Sequence, residues 1–211
     1  MRIRNVKDKD SILLNSKYVL DNFSFKGKWR EVFENDNPIC VEIGTGKCTF
    51  IYEMARNNPN VNYIGIERID TVLALGVKEI EKLPVLSNLC LINFDAFKVD
   101  EIFFHEVDTL YLNFSDPWPK ARHEKRRLTN FRFLEKYDIM FSGDKKIVLK
   151  TDNDAFFEYS VVSLSEFGYK ISDLSLDLHK RLNYNNVMTE YEKKFSSKGC
   201  KIYMLSAVKK V

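Results

Sequence analysis

A short apolar run that ends in two closely spaced glycines constrains the fold of this chain more than any other feature. The run Ile39–Ile43 reads as a buried strand, and the turn Gly44-Thr45-Gly46 follows it directly. Beyond the turn, apolar residues recur at helical spacing from Phe50 to Ala55. A strand, a glycine turn and a helix in this order predict the first unit of a parallel α/β sheet that binds a ligand at the turn.

The alternation of strands and helices continues along the chain. Further buried strands are predicted over residues 61–66, 89–92, 107–114, 146–149, 169–176 and 201–208. Amphipathic helices are predicted from Ile69 to Leu83, from Leu128 to Phe141 and from Phe157 to Phe167. This order predicts a doubly wound, mostly parallel α/β sheet of seven strands. We expect one domain over residues 34–211, preceded by an N-terminal arm and a short helix over residues 1–33.

The composition fits such a domain. The 211 residues are 45% hydrophobic and include 16 Phe and 10 Tyr, which suffices for a sizeable core and excludes a disordered chain. The four cysteines have no metal-ligand spacing, and no apolar run approaches the ~18 residues of a membrane span. The sequence therefore predicts a cytoplasmic protein that binds neither a metal nor a membrane.

The acid before the glycine turn narrows the choice of ligand. Glu42 lies two residues before Gly44, so both point to the same face of the strand. A carboxylate there would repel the pyrophosphate of a dinucleotide, whereas it suits the sulfonium and ammonium groups of S-adenosylmethionine. The dinucleotide fingerprint also needs a glycine or alanine where this chain has Thr49. The pattern therefore favours S-adenosylmethionine over NAD.

Two further acids follow neighbouring strands. Glu67 ends the second predicted strand, 23 residues after Gly44, and an acid near this spacing commonly binds ribose hydroxyls. Asp95 follows the third strand, where its carboxylate would accept a hydrogen bond from an adenine amino group or would cap a helix that begins at Ala96. Because the carboxyl ends of parallel strands share one edge of a sheet, both acids are candidates for the cofactor site.

The fourth predicted strand leads into a stiff loop and a cationic segment. Asp116 is followed by Pro117, Trp118 and Pro119, and the prolines fix the direction of the loop. The segment 120–127 then carries five Lys and Arg against one acid. Without it the chain would have 28 basic and 29 acidic residues, against 33 and 30 in total, so the net charge of +3 is concentrated there. A cationic cluster next to a strand-end carboxylate is typical of a surface that holds a phosphate backbone.

These motifs together resemble the signature of the bacterial tRNA (guanine-N7)-methyltransferases. The matching blocks, in the family's order, are Glu42-Ile-Gly-Thr-Gly-Lys47, Tyr63-Ile-Gly-Ile-Glu67, Asp116-Pro-Trp-Pro-Lys120, Arg122-His-Glu-Lys-Arg-Arg-Leu128, Lys150-Thr-Asp-Asn153 and Thr189-Glu-Tyr-Glu192. The resemblance covers nearly the whole chain from about Gly27. It implies a Rossmann-like class I methyltransferase fold with the last strand antiparallel, S-adenosylmethionine as methyl donor, and a guanine in the variable loop of tRNA as acceptor.

The resemblance and the strand-end positions also imply roles for single residues. The expected cofactor-binding residues are Glu42, Gly44, Gly46, Glu67, Asp95 and Asp116, with Asp116 as the catalytic residue. The expected substrate-binding residues are Lys120, Asp152, Thr189, Glu190, Tyr191 and Glu192. The expected RNA-binding residues are Arg122, His123, Glu124, Lys125, Arg126 and Arg127. One departure is Cys48, where the family usually has glycine, and a small adjustment of the loop is expected there.

The chemistry of guanine N7 defines what the site has to provide. N7 is an unprotonated acceptor, so no general base is needed before methyl transfer. Asp116 and Asp152 would position the guanine through its N1–H and amino group and would favour the positive charge that develops on the ring. Trp118 or Tyr191 would receive the base when it leaves its stack.

Three other functions stay open from the residues alone. A dinucleotide-dependent oxidoreductase is disfavoured by the acid before the glycine turn, and a non-catalytic RNA-binding module by the joint presence of the strand-end acids. A methyltransferase acting on an exocyclic amine is disfavoured by the basic segment after Trp118. Thr189 and Glu192 also form a capping box for a helix over residues 190–196, which is compatible with a substrate role. Both a monomer and a homodimer are consistent with the sequence.

Overall fold

The computed structural model describes residues 6–21, 25–182 and 184–210, so residues 1–5 and 22–24 of the predicted arm lie outside the described residues. The strands are β1 (Val19–Leu20), β2 (Ile39–Ile43), β3 (Asn62–Glu67), β4 (Leu89–Asn93), β5 (Val107–Asn113), β6 (Phe141–Thr151), β7 (Lys170–Ser175) and β8 (Tyr203–Lys209). The α-helices are α1 (Lys9–Leu14), α2 (Trp29–Phe33), α3 (Thr49–Asn57), α4 (Asp70–Ile80), α5 (Phe131–Met140), α6 (Asp154–Glu166) and α7 (Glu190–Ser196). None of the helices in the described ranges is long and apolar enough to cross a membrane.

The strands form one sheet with the order β1-β4-β3-β2-β5-β6-β8-β7. Every pairing is parallel except the two made by β8, which runs antiparallel to β6 and β7. The predicted mostly parallel sheet with an antiparallel last strand is therefore confirmed. An eighth strand, β1, was not predicted, and it pairs with β4 at the edge of the sheet. A strand of two residues is too short to produce the alternation that marks a strand in a sequence.

The order of the strands creates a crevice next to β2. This strand pairs with β3 on one side and with β5 on the other, so that Glu42 lies opposite Gly65 and Tyr111. The chain therefore builds the sheet outward from β2 in two directions. In sheets of this kind, ligands bind at the carboxyl ends of the strands where the order reverses. The glycine turn after β2 lies at this point.

Most predicted boundaries differ from the structure by one or more residues, and the strand predicted over residues 146–149 extends over Phe141–Thr151. Two of the differences lie at phenylalanines. The fourth predicted strand ends at Asn113, because Phe114 adopts a left-handed conformation with φ of 51°. The helix predicted up to Phe141 ends one residue earlier at Met140, and Phe141 begins β6 instead. Phe114 is partly buried and Phe141 is buried, so both continue the apolar pattern of the preceding element. The spacing of apolar residues therefore cannot show that the backbone conformation changes at these residues.

Part of the described segment before β2 packs into the core. Trp29 of α2 is fully buried, and its indole N–H donates to the carbonyl of Ile102 at 2.8 Å. The backbone N–H groups of Gly27 and Trp29 donate to the buried carboxylate of Glu106, each at 2.8 Å. Helix α1 packs against α4. These contacts attach the described part of the N-terminal segment to the sheet.

Candidate cofactor pocket and its cationic rim

A cavity of about 670 Å³ opens at the carboxyl ends of the central strands. Volumes of ~300–1,000 Å³ are typical of sites for small molecules and cofactors. Its wall includes strand-end residues from four strands or the loops that follow them, namely Gly44, Glu67, Asp95, Asn113, Ser115 and Asp116. The structure thus brings four of the residues predicted for the cofactor together around one space.

Backbone groups hold two of the acids in this wall. The carboxylate of Glu67 accepts from the backbone N–H of Gly46 at 3.1 Å and from that of Ile69 at 2.9 Å. Asp95 accepts from the backbone N–H of Phe97 at 2.9 Å and so caps the 3₁₀ turn that follows β4. The capping role predicted for Asp95 is therefore confirmed, and the same residue also lines the cavity.

Glu42 lies behind the glycine turn and is fully buried. Its two carboxylate oxygens accept from Thr45 Oγ1 at 2.7 Å and from Asn113 Nδ2 at 2.8 Å. Burial raises the pKa of Glu42 to about 7, although the hydrogen bonds from Asn113 and Thr45 and the charge of Lys150 lower it. Glu42 therefore does not touch the cavity directly. When it is ionised, it places a negative charge beneath the glycine turn, behind Thr45 and Asn113.

The glycine turn is closed by Cys48, which adopts the left-handed conformation with φ of 62° in which glycine is favoured. The backbone at Cys48 is thus one that favours glycine, at the position where the resemblance leads us to expect glycine. The thiol is buried and directed at α4, where a Cβ on Gly76 would lie 2.7 Å from Cys48 Sγ and 2.7 Å from the carbonyl carbon of Lys47. Gly76 therefore allows α4 to pack directly against the turn.

The loop after β5 carries Asp116 to the edge of the cavity. Asp116 is exposed, and its carboxylate makes no hydrogen bond or ion pair within the described part of the chain. Arg127 holds the loop in place, since its guanidinium donates to the carbonyls of Pro117 and Trp118, both at 3.2 Å. The same guanidinium stacks on the ring of Tyr159 at 4.3 Å from its centroid.

The cationic segment folds back over the tryptophan. A 3₁₀ turn over Ala121–Arg126 places the guanidinium of Arg126 4.8 Å from the Trp118 ring centroid, and the ring of His123 packs edge-on against the indole at 5.5 Å. Glu124 accepts from the hydroxyl of Tyr159 at 3.2 Å.

The segment therefore divides into two groups of side chains. His123, Glu124 and Arg127 contact other side chains or backbone of the protein, as above. Arg126 belongs to both groups, because it stacks on Trp118 and lines the cavity. Arg122 and Lys125 are exposed, and Lys125 and Arg126 also line the cavity.

Glu192, one of the predicted substrate residues, faces the interior. It is fully buried, and its carboxylate pairs with Lys150 Nζ at 2.7 Å and with His179 Nε2 at 3.1 Å. It also accepts a hydrogen bond from Asn186. Burial lowers the pKa of Lys150, while the charge of Glu192 raises it. Lys150 donates further to the carbonyl of Val187 at 2.9 Å, so this ion pair fixes the segment before α7 onto β6.

The first residues of α7 connect the predicted substrate block to the glycine turn. Thr189 caps the helix, because its Oγ1 accepts from the backbone N–H of Glu192 at 2.9 Å. Glu190 pairs with Lys47 at 2.8 Å. The start of α7 is therefore attached both to β6 and to the residue that follows Gly46.

Tyr191 lies in a short stack of aromatic rings. Its ring is 5.0 Å from that of Phe114 and 4.1 Å from that of Phe195, and its hydroxyl donates to Asp152 at 3.3 Å. The structure thus brings Tyr191 and Asp152 together beside the loop that carries Asp116. Lys120 is exposed on that loop.

Lys150, Asn113 and Gly76 stand outside the predicted site residues. Lys150 contacts Glu192, Asn113 contacts Glu42, and Gly76 lies against the residues that follow Gly46. Two of them could have been noticed in the sequence. Lys150 directly follows the apolar run 147–149, and a buried lysine needs a partner. Gly76 lies on the apolar face of a predicted helix, where a glycine indicates close packing. Asn113 gives no comparable signal, since its partner Glu42 is on another strand.

A sequence profile of the family described as "Putative methyltransferase" matches residues 36–205. Among the solved structures, one titled an antibiotic related methyltransferase is 22% identical with a TM-score of 0.65 and covers 88% of this chain and 94% of its own. A 16S rRNA (adenine(1408)-N(1))-methyltransferase from Catenulisporales acidiphilia, solved with its cosubstrate SAM, is 12% identical with a TM-score of 0.62, covering 88% and 91%. These likenesses show the class I methyltransferase fold.

Three relatives named tRNA (guanine-N(7)-)-methyltransferase resemble the chain over almost its whole length. The protein of Bacillus licheniformis is 48% identical over 98% of both chains. That of Geobacillus kaustophilus is 50% identical over 99% of this chain and 97% of its own, and that of Streptococcus pneumoniae strain CGSP14 is 48% identical over 98% and 99%. At this identity and coverage, the chain belongs to the tRNA (guanine-N(7)-)-methyltransferase family.

Proposed function

We propose that this protein transfers a methyl group from S-adenosylmethionine to N7 of a guanine in the variable loop of tRNA. The observation that carries the proposal is one continuous site. The acid-lined cavity at the switch point of the sheet opens onto the loop with Asp116, and the cationic segment directly follows that loop. Cofactor, acceptor base and RNA backbone each have residues of suitable chemistry within this site.

The residues of the cavity fit the cofactor. When bound, S-adenosylmethionine supplies a methyl group on a positively charged sulfur. Glu67 would accept from ribose hydroxyls and Asp95 from the adenine amino group, because both carboxylates line the cavity in fixed positions. The backbone of Gly44 lies open, since a Cβ built there meets nothing within 4 Å. The negative charge of Glu42 beneath the turn favours the positively charged methionine moiety, with Gly46 allowing the turn its shape.

The guanine would be positioned by groups at the edge of the cavity. Asp116 would accept from the N1–H and amino group of the base. Asp152, with Tyr191 bonded to it, directly follows the adjoining strand β6. Since N7 already carries a lone pair, these carboxylates favour the developing positive charge and remove no proton before transfer. Lys120 and the start of α7, with Thr189 and Glu190, would complete the substrate side. The buried Glu192 would support them by holding the segment before α7 through Lys150.

The cationic segment would hold the RNA through two kinds of residue. Arg122, Lys125 and Arg126 would contact phosphates, because they present cations to solvent or to the cavity mouth. His123 and Arg127 would shape the segment through Trp118 and the loop carbonyls. Glu124 would serve the same purpose through Tyr159.

Three predictions about the whole protein belong to this proposal. The methyltransferase domain would comprise residues 34–211, with residues 1–33 as an N-terminal arm and a short helix. The enzyme would act as a monomer or homodimer, and it would act in the cytoplasm, where tRNA is modified. Sedimentation equilibrium would distinguish the two oligomeric states.

The proposal is tested by incubating the purified protein with tRNA transcribed without modifications and with methyl-labelled S-adenosylmethionine. We expect label in the tRNA, and chain scission by chemistry specific for 7-methylguanosine at one guanine of the variable loop. Label without scission would contradict N7 as the acceptor. Absence of label under conditions in which the protein binds S-adenosylmethionine would contradict tRNA as the substrate.

A further inference from the structure

Asn113, the last residue of β5, has one half of its amide without a partner. The side chain lines the cavity although the residue is only 6% exposed. Its Nδ2 donates to Glu42 Oε1 at 2.8 Å. Its Oδ1 is buried and, within the described residues, has no hydrogen bond. A buried acceptor left without a donor is unfavourable, so it calls for a donor that is absent from the protein itself.

The orientation of this amide follows from its neighbour. Glu42 offers only acceptor oxygens when ionised, so the amide nitrogen of Asn113 has to face it. The other oxygen of Glu42 is already taken by the hydroxyl of Thr45 at 2.7 Å. The amide oxygen therefore lies on the side away from Glu42, buried in a residue that lines the cavity.

The chemistry of the cofactor identifies the missing donor. With the ribose at Glu67 and the adenine at Asp95, the methionine moiety would extend toward β5, because β5 lies on the other side of β2. Its sulfonium has no hydrogen to donate, whereas its ammonium group has three. Ser115, whose buried hydroxyl has no hydrogen-bond partner among the described residues, is less selective because a hydroxyl both donates and accepts.

We propose that Asn113 binds the ammonium group of the cofactor's methionine moiety through its amide oxygen, and that Glu42 is a positioning residue that fixes the amide. This inference rests on the proposed use of S-adenosylmethionine and extends it to a residue outside the expected cofactor set. Glu42 then acts on the methionine moiety through Asn113 as well as through its charge.

The experiment measures ligand binding by calorimetry for the wild type, Asn113→Leu and the matched control Ser115→Ala. The ligands are S-adenosylmethionine, S-adenosylhomocysteine and 5′-methylthioadenosine, of which the last lacks the amino acid portion. Asn113→Leu should lose about ten- to a hundredfold in affinity for the first two and less than about threefold for the third. Ser115→Ala should change each of the three affinities by less than Asn113→Leu changes the affinity for S-adenosylmethionine. An equal loss for all three ligands in Asn113→Leu would overturn the assignment.

A second measurement keeps the proposal open to refutation if Asn113→Leu does not fold. The wild type is titrated with S-adenosylhomocysteine and with its analogue that lacks the α-amino group. The proposal predicts that the analogue binds about ten- to a hundredfold more weakly, and equal affinities would overturn it. A wild type that binds neither S-adenosylmethionine nor S-adenosylhomocysteine would contradict the proposed function itself, so the two failures are distinguishable.

Discussion

On the cofactor side of the cavity, Glu67 and Asp95 accept hydrogen bonds from backbone N–H groups close to them in the same crevice. On the side of α7, Glu192 and Lys150 are 42 residues apart and hold each other by side chains, with Asn186 and Val187 joined to the pair. The first arrangement follows directly from the strand ends. The second depends on one buried ion pair.

This difference separates two kinds of functional residue. A side chain held by the backbone of a strand end keeps its place as long as the sheet is folded. A segment fixed by a buried ion pair loses its place when either partner is removed, because the remaining charge is left without compensation. Substitutions on the two sides should therefore affect stability and activity differently.

The largest effect is expected for Lys150→Met, which removes the cation that pairs with Glu192. Because both side chains are buried, we expect the free energy of unfolding to fall by about 3–5 kcal/mol. Urea-induced unfolding measures the change. Where the variant still folds, its affinity for S-adenosylmethionine should fall less than that of Glu42→Gln. Backbone N–H groups hold Glu67 and Asp95, and the loss of Lys150 acts on Glu42 only by raising its pKa.

The double variant Lys150→Met with Glu192→Gln is the matched control. It removes the uncompensated charge and should recover most of the lost stability. Equal instability of the single and double variants would show that the packing of Lys150, and not the ion pair, fixes the segment before α7.

The next effect concerns Glu42, whose pKa burial raises to about 7 from the ordinary value of 4.5. Between these values the folded state holds a proton that the unfolded chain has released, so the free energy of unfolding falls as the pH rises. Glu42→Gln lacks this dependence. Its stability relative to the wild type should therefore increase by about 2–3 kcal/mol from pH 5 to pH 8.

The same variant should lose affinity for S-adenosylmethionine, because no negative charge remains beneath the glycine turn. Stability and cofactor binding would then change in opposite directions. A stability difference between variant and wild type that is the same at pH 5 and pH 8 would contradict the raised pKa.

Most of the fold could be predicted because long strands and helices leave regular patterns. The two-residue strand β1 and the end of β5 before Phe114 leave no such pattern. In the site, Glu67 and Asp95 could be found from their places at strand ends. The partners of Glu42 and Glu192 could not, because Asn113 and Lys150 come from other strands and their contacts arise only when the sheet closes. The burial of Glu192 could not be predicted for the same reason, because it depends on its pairing with Lys150.

The smallest effect is expected within the cationic segment, where Arg122 and Arg127 form a matched pair. Arg122→Ala should lower the slope of log affinity for tRNA against log salt by ~0.7–0.9, as expected when one phosphate contact is lost. Arg127→Ala should leave that slope nearly unchanged and reduce turnover, because its guanidinium holds the loop carbonyls of Pro117 and Trp118. If both variants showed the same slope of log affinity against log salt, the proposal that Arg122 contacts RNA while Arg127 supports the loop would be wrong.

The division between chemistry at the cavity edge and RNA binding on the cationic segment is tested most directly by Asp116→Ala. Single-turnover methyl transfer and tRNA affinity are measured on the same preparation. We predict that the rate at saturating tRNA falls by about 10²–10³-fold, while the dissociation constant for tRNA changes by less than about threefold. Equal losses of rate and of affinity would contradict the account, because Asp116 would then be a part of the RNA-binding surface.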